Sequence, residues 1–254
     1  MSTFPDKFRL DGRTALVTGS ARGLGWEMAK GLAEAGARVL LHGRSHKQMT
    51  PRLAELRAAG HDADALAFEM ADRAAMAAEV AAAGRIDILV HNVGERDRRP
   101  FLEIEPADFA RLVDIDLSAG HALVHQLVPG MIARGWGRLI LVSSIAADLA
   151  APGASSYIAA KAGLAALARA LAVEFGAKGI TANALSPGFF ATETNAALIA
   201  SSTGEHLRTR CPAKRWAEPW EIVGAAVFLA SPAAAYVNGH TLTVDGGVSA
   251  TYIA

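Results

Sequence analysis

The 254-residue sequence contains a single cysteine, Cys211, and has no excess of charge of either sign. One cysteine cannot form an internal disulfide framework, and such scarcity is typical of proteins from a reducing compartment. The 25 basic and 25 acidic side chains balance, which argues against a basic surface for nucleic acid. We therefore expect a protein that works without disulfides and without nucleic acid.

The sequence also lacks long apolar runs. No stretch reaches about 18 uninterrupted apolar residues, and residues 1–11 are polar and lack the apolar core of a signal peptide. We therefore predict a cytoplasmic protein without a membrane partner. No repeat, low-complexity tract or long linker divides the chain, so residues 1–254 are predicted to form a single domain.

Short β-rich runs alternate with longer helical patterns from one end to the other. The predicted strands cover residues 14–18, 38–42, 65–68, 86–91, 138–143 and 180–185, with a last one near 241–244. The predicted helices include residues 25–35, 50–59, 106–134 and 156–175. Runs such as LILV are apolar without alternation, as expected of strands covered on both faces. The pattern predicts an α/β fold with a doubly wound, seven-stranded parallel sheet and helices on both faces.

A glycine-rich turn, TGSARGLG at residues 18–25, joins the first predicted strand to a helix. Gly19, Gly23 and Gly25 allow backbone amides to approach a pyrophosphate at the positive end of the helix dipole. The spacing differs from the more common G-x-G-x-x-G, and no Gly-Lys-Ser/Thr follows to bind a nucleoside triphosphate. The turn therefore favours a dinucleotide over ATP, although three glycines alone could form an ordinary turn.

The end of the second predicted strand carries no acidic residue. His42, Gly43 and Arg44 stand where an NAD enzyme usually has an Asp or Glu for the ribose hydroxyls. A guanidinium can bind the 2′-phosphate that a carboxylate would repel, so NADP is the preferred cofactor. Arg22 in the glycine turn is a second candidate for this phosphate. NAD is the alternative, with Arg44 as a solvated loop residue.

A tyrosine and a lysine open the apolar helix predicted over residues 156–175. Tyr157 and Lys161 are four residues apart, so their side chains share one helix face. A phenol of pKa about 10 must shift by about 3 units, or about 4 kcal/mol, to exchange protons near neutrality. A lysine charge about 4 Å away supplies energy of that order. Taken alone, the pair is more typical of a structural helix, in which the tyrosine fills the core and the lysine extends to solvent.

Five motifs occur in order along the chain: TGSARGLG, HNVG at 91–94, Ser144, YIAAK at 157–161 and SPG at 186–188. Together they make the chain resemble the short-chain dehydrogenase/reductase family, of the classical type, over essentially its whole length. The resemblance implies a Rossmann-type fold in which Tyr157 exchanges a proton with a carbonyl/alcohol pair. Ser144 would hydrogen-bond the same oxygen, and Lys161 would bind the nicotinamide ribose and lower the tyrosine pKa.

The resemblance also implies a set of cofactor contacts. No metal is expected, because no group of His, Cys, Asp or Glu residues in the sequence has ligand spacing. The implied contacts are Gly19, Ser20, Arg22, Gly23, Leu24, Gly25, Arg44, Glu69, Met70, Asn92, Gly94, Tyr157, Lys161, Pro187, Gly188, Phe190 and Thr192. Asn92 and Gly94 are expected beside the adenine ribose and Glu69 near the adenine. Thr192 is expected to reach a phosphate or the carboxamide.

Asp116, in VDIDLSAG at residues 113–120, departs from the family pattern, which usually has asparagine there. That asparagine helps to hold a water that leads protons to the lysine. Asp116 could bind the same water, but as a carboxylate it could also pair with Lys161 and change the pH dependence of the relay. We expect altered but working catalysis and treat Asp116 as a candidate catalytic residue. His91 and Val93 are milder departures from the family's NNAG.

The segment ERDRRPF, residues 95–101, leaves the expected ligand crevice with a high density of charge. Arg96, Arg98 or Arg99 could meet a substrate carboxylate; an exposed loop or subunit contact is the alternative. This segment and HGR at 42–44 look similar to gluconate 5-dehydrogenase-like members of the family. VNGHTLTVDGG at 237–247 resembles the family's last strand and tetramer interface, which implies a homotetramer.

The favoured function is therefore hydride transfer between NADP(H) and a secondary alcohol or ketone, with a polyol or sugar acid as the expected substrate class. A 3-oxoacyl thioester (acyl-carrier-protein) reductase would share every catalytic residue and is the first alternative. A non-catalytic nucleotide-sensing or scaffold protein would keep the glycine turn without turnover and is the second.

Overall fold

The computed structural model describes residues 3–251, which fold around one parallel sheet of seven strands. The strands are β1 Thr14–Val17, β2 Arg38–Gly43, β3 Ala63–Ala67, β4 Ile88–His91, β5 Gly137–Val142, β6 Ile180–Pro187 and β7 Thr241–Val244. They lie in the order β3-β2-β1-β4-β5-β6-β7, and every neighbouring pair is parallel. This confirms the predicted doubly wound sheet. The order reverses between β1 and β4, where such sheets open a crevice for ligands.

Nine α-helices of the described part of the chain cover the two faces and the carboxyl end of the sheet. They are α1 Gly23–Glu34, α2 His46–Ala58, α3 Arg73–Ala83, α4 Pro106–Val113, α5 Ala119–Arg134, α6 Ser155–Phe175, α7 Ala196–Ile199, α8 Ser202–Arg210 and α9 Val223–Ala230. Within residues 3–251, none of them has the length and hydropathy that a membrane crossing requires.

The hydrophobic core has two layers, one on each face of the sheet. In β1, Leu16 packs in the layer that holds α5 and α6, whereas Ala15 and Val17 pack in the layer that holds α1 and α9. Successive strand residues point to opposite faces, and both faces are covered, so every residue of β1 is buried. This arrangement explains why the strands are apolar without alternation.

The long helix predicted over residues 106–134 is interrupted. Helix α4 ends at Val113, a π-helical turn follows over Asp114–Ser118, and α5 begins at Ala119. The apolar period continues through all three segments, so the sequence pattern did not predict the interruption. Such turns occur frequently at functional sites. Here the π-helical turn places Asp116 beneath the carboxyl end of β4.

Candidate active site

A cavity of about 930 Å³ opens at the carboxyl ends of β1, β2, β4, β5 and β6. Its lining includes the glycine turn, the segment after β4 and the start of α6. Every cofactor contact predicted from the sequence lines this cavity except Ser20. The fold therefore brings together residues that are as far apart in the chain as Gly19 and Thr192.

Ser20, the remaining predicted cofactor contact, is not part of the cavity lining. The side chain is buried, and its Oγ accepts a hydrogen bond from the His42 backbone N–H at 2.9 Å. The Ser20 N–H in turn donates to the His42 carbonyl at 3.0 Å. Both groups connect the glycine turn to β2, because the turn's backbone must continue the hydrogen bonding of the sheet.

The glycine turn needs its glycines for two different reasons. Gly19 and Gly23 have φ values of +64° and +57°, a conformation that side chains disfavour. At Gly25, a Cβ would lie 2.3 Å from the Gly19 carbonyl oxygen and 2.6 Å from Asn92 Nδ2. The Asn92 amide donates to the Thr18 and Gly19 carbonyls at 3.2 and 3.3 Å, which closes the turn. The compact turn lies at the N-terminus of α1, whose amides favour a phosphate.

His42 supports the glycine turn from below. Its Nδ1 accepts the Gly19 N–H at 3.1 Å, and its Nε2 donates to the Phe68 carbonyl at 3.1 Å. Since an amide can only donate and a carbonyl can only accept, these contacts fix the tautomer. Burial lowers the pKa of His42 to about 4, so the ring is neutral. The sequence showed only that His42 replaces an acidic residue; its two partners come from distant segments.

Two arginines border the cavity near the end of β2. Arg44 lies directly after this strand and Arg22 lies in the glycine turn. Within the described residues neither guanidinium forms an ion pair, although the backbone N–H of Arg44 binds Gln48 Oε1 at 3.2 Å. The one carboxylate nearby on the lining is that of Glu69. The positive charges at this end therefore remain available to an anionic ligand.

Tyr157, Ser144 and Lys161 meet at the other end of the cavity. Lys161 is buried, and its Nζ donates to the Val93 and Val142 carbonyls at 3.2 and 3.0 Å. These carbonyls lie after β4 and at the end of β5, so the sheet itself fixes the ammonium. Nζ lies 5.7 Å from the centroid of the Tyr157 ring.

The surroundings of Tyr157 favour its ionised form. Burial opposes ionisation, but the charges of Lys161 and Arg96 and hydrogen bonds from Ser144 and Arg96 outweigh it and lower the pKa of the phenol. Tyr157 lines the cavity, where a substrate could reach it. The arrangement can therefore exchange a proton with a ligand.

Asp116 lies behind Lys161 rather than on the cavity wall. Its Oδ1 accepts the Glu95 N–H at 2.8 Å, whereas Oδ2 is buried without a hydrogen-bond partner in the described chain. Burial raises the pKa of Asp116 to about 6, although the charge of Lys161 opposes this rise. A direct ion pair with Lys161, which the sequence allowed, is not formed between these two described residues. The charge of Lys161 therefore acts on the carboxylate through space.

His91, a departure from the family motif with no predicted role, connects β1 to the π-helical turn. Its Nε2 donates to the Asp116 carbonyl at 3.1 Å, and the Thr18 hydroxyl lies 3.3 Å from Nδ1. Burial lowers the pKa of His91 to about 3, and the charge of Lys161 adds to the effect. A Cβ on Gly120 would lie 2.7 Å from the ring, so the glycine of VDIDLSAG makes room for this histidine.

The three candidate arginines of residues 95–101 differ in their surroundings. Arg99 forms ion pairs with Asp97 and Asp108 and does not line the cavity. Arg96 and Arg98 do line it. Arg99 therefore has a structural role in the loop, and the other two are the candidates for a ligand contact.

Comparison with known proteins identifies the family. A family model described as enoyl-(acyl carrier protein) reductase matches residues 19–249. A solved structure described as a short chain dehydrogenase/reductase family protein is 37% identical, with a TM-score of 0.88, over 96% of this chain and 100% of its own. The chain belongs to the short-chain dehydrogenase/reductase family. Its relatives are dehydrogenases and reductases, as the sequence motifs predicted.

Two relatives within the family carry a narrower name. Gluconate 5-dehydrogenase of Gluconobacter oxydans is 39% identical over 250 residues, which cover 96% of this chain and 98% of that protein. A gluconate 5-dehydrogenase from Burkholderia cenocepacia, solved in complex with NADP and tartrate, is 40% identical with a TM-score of 0.92. That match covers 97% of this chain and 98% of the solved one. The resemblance to gluconate 5-dehydrogenase-like members is thereby confirmed.

Proposed function

We propose that the protein catalyses reversible hydride transfer between NADP(H) and a secondary alcohol or ketone of a sugar acid, of the gluconate and 5-ketogluconate type. The observation that carries the proposal is one cavity with Tyr157, Ser144 and Lys161 at one end and, at both ends, arginines that form no ion pair within the described chain. The similarity to two gluconate 5-dehydrogenases supports the substrate class.

The residues of the cavity fit a phosphorylated dinucleotide. The close approach of Gly25 to the Gly19 carbonyl leaves no room for a side chain and keeps the turn open to a pyrophosphate. Arg44 and Arg22 would bind the 2′-phosphate, which favours NADP over NAD. Asn92 and Gly94 would lie beside the adenine ribose, with Glu69 and Met70 near the adenine. The wall formed by Pro187, Gly188, Phe190 and Thr192 would hold the nicotinamide end.

The protein's own part in the reaction is the transfer of a proton. NADP, when bound, supplies or accepts the hydride. Tyr157 donates a proton to the substrate oxygen during reduction and removes it during oxidation, and Ser144 hydrogen-bonds the same oxygen. Lys161 stabilises the phenolate by its charge and contacts the nicotinamide ribose. Asp116 places a carboxylate behind Lys161 and would hold a water for the proton relay.

The charged lining near Tyr157 distinguishes the two candidate substrates. Arg98 lies on the wall without an ion-pair partner in the described chain and would bind a carboxylate. An acyl chain would gain nothing from a guanidinium and would leave its charge without a partner. The sugar acid is therefore favoured over the 3-oxoacyl thioester.

A substrate panel tests this function. Gluconate, 5-ketogluconate and a 3-oxoacyl thioester are each offered with NADP(H) or NAD(H), and turnover is followed at the nicotinamide absorbance. We expect turnover of the sugar acids with NADP(H). Tyr157→Phe should lower kcat by about 10² to 10⁴-fold while NADP still binds. Preference for the thioester would establish the first alternative, and NADP binding without turnover of any substrate would establish the nucleotide sensor.

We further propose that residues 1–254 form one catalytic domain that assembles as a homotetramer in the cytoplasm. Exposed apolar side chains support assembly: Leu102 and Val173 on the described surface are 92% and 87% exposed. Light scattering should give about four times the 26.5 kDa chain mass. A monomer mass would exclude the tetramer.

A further inference from the structure

Arg96 makes two contacts with the tyrosine of the site. Its guanidinium carbon lies 4.9 Å from the centroid of the Tyr157 ring, and its Nη2 donates to the Tyr157 hydroxyl oxygen at 3.4 Å. One cation therefore touches both the face of the ring and the oxygen that exchanges the proton. A cation over the face of an aromatic ring is attracted electrostatically by the ring, and a guanidinium keeps its charge at every relevant pH.

The charge of Arg96 is not neutralised by the acids around it. Asp97 is paired with Arg99, and Glu95 is paired with Arg111 at 2.7 Å. Within the described residues Arg96 itself forms no ion pair. Glu95 and Asp97 are thus paired with other arginines, and the positive charge of Arg96 acts on the phenol of Tyr157.

We propose that Arg96 is a further catalytic residue, a second cation that stabilises the phenolate of Tyr157 alongside Lys161. The assignment rests on the proposed function, because it concerns the same proton transfer. The two cations come from different elements: Lys161 from the helix of Tyr157, and Arg96 from the segment between β4 and α4. Two elements must therefore be in place before the phenol is fully acidic.

The other groups around Tyr157 are consistent with this assignment. Ser144, after β5, contributes a hydrogen bond that lowers the pKa of Tyr157, while burial raises it. Asp116, from the π-helical turn, is fixed by the Glu95 N–H, and its Oδ2 and Lys161 Nζ both lie close to Gly94.

The direction of the effect follows from the charge. Loss of Arg96 removes a cation beside the phenolate, so the pKa of Tyr157 rises. Alcohol oxidation needs the phenolate and should then require a higher pH. Ketone reduction needs the protonated phenol and should continue to a higher pH. Both pH profiles move upward, which a loss of substrate binding alone would not produce.

A direct titration of Tyr157 tests the assignment without substrate. The chain has three tyrosines, so Tyr236→Phe combined with Tyr252→Phe leaves Tyr157 as the one titrating phenol. The ultraviolet difference absorbance of tyrosinate is then followed against pH. We expect Arg96→Gln to shift the midpoint upward by about one pH unit and Arg96→Lys to restore most of the shift. Arg98→Gln, in the same loop but without a contact to Tyr157, should leave the midpoint unchanged.

The outcomes separate this inference from the proposed function. An unchanged midpoint in Arg96→Gln, with native circular dichroism, overturns it, and so does an equal shift in Arg98→Gln. A uniform loss of kcat/KM without movement of the pH profile would make Arg96 a substrate contact and also overturns it. Failure of every sugar acid in the substrate panel would leave the titration result intact.

Discussion

The His91 imidazole donates a hydrogen bond from Nε2 to the main-chain carbonyl of Asp116 over 3.1 Å. The two residues are 25 positions apart, and the bond joins the end of β4 to the π-helical turn. Since Asp116 then presents its carboxylate behind Lys161, His91 controls where that charge lies. His91 and Asp116, both departures from the family pattern, are therefore neighbours in the structure.

Asp116→Asn should change how stability depends on pH. The pKa of Asp116 rises from 3.8 to about 6 on folding, so its favourable contribution is present below pH 3.8 and is lost as the pH rises through 6. That loss is about 3 kcal/mol. Relative to the native protein, the variant should therefore gain about 2 to 2.5 kcal/mol between pH 4 and pH 8, measured by urea unfolding. We also expect kcat of the native protein to change near pH 6, where Asp116 titrates, and this change should be absent from the variant. If the variant keeps such a change, it belongs to another group.

His91→Asn should change the pH dependence of stability in the opposite sense, because buried His91 costs stability at low pH rather than at high pH. The pKa of His91 falls from 6.5 to about 3 on folding, so the native protein loses stability as the pH falls below 6.5. At pH 4.5 this loss is about 2 to 3 kcal/mol. The variant lacks the buried imidazole and does not share this loss. The difference in free energy of unfolding between the native protein and the variant should therefore be smaller at pH 4.5 than at pH 7.5 by that amount. His206→Asn, at an exposed position, is the matched control, and an equal deficit at both pH values would contradict the assignment.

Arg44→Ala should weaken NADP much more than NAD. Loss of a guanidinium contact with the 2′-phosphate is expected to raise the Kd for NADP about 10- to 100-fold, because charge-assisted hydrogen bonds contribute about 1.5 to 3 kcal/mol. NAD lacks this phosphate and serves as the internal control, with fluorescence titration as the measurement. Equal losses of affinity for both cofactors would show that Arg44 does not bind the 2′-phosphate.

Gly25→Ala and Gly224→Ala form a matched pair of helical substitutions. A Cβ at Gly25 would lie 2.3 Å from the Gly19 carbonyl oxygen, whereas a Cβ at Gly224 would meet nothing within 4 Å. We expect Gly25→Ala to cost about 1 to 3 kcal/mol and to weaken NADP binding. Gly224→Ala should stabilise α9 by about 0.5 to 1 kcal/mol. Urea unfolding checks both, and similar values for the two variants would show that the glycine turn is not crowded.

The sequence by itself determined the features that depend on local spacing. The alternation of strand and helix predicted the parallel sheet, and the interval of four residues placed Tyr157 and Lys161 on one helix face. The glycine turn after β1 located the expected phosphate site. These features follow from backbone geometry over a few residues, which the order of side chains specifies directly.

Tertiary structure decided the features that depend on distant partners. Ser20 faces β2 because a backbone amide there required an acceptor, and His42 and His91 are neutral because the fold buries them. The three arginines of residues 95–101 are equivalent candidates in the sequence. In the structure, however, Asp108 on α4 helps to hold Arg99 away from the cavity, while Arg96 reaches Tyr157. The direction of a polar side chain is set by which unpaired groups folding brings within hydrogen-bond distance, and that information is absent from local sequence.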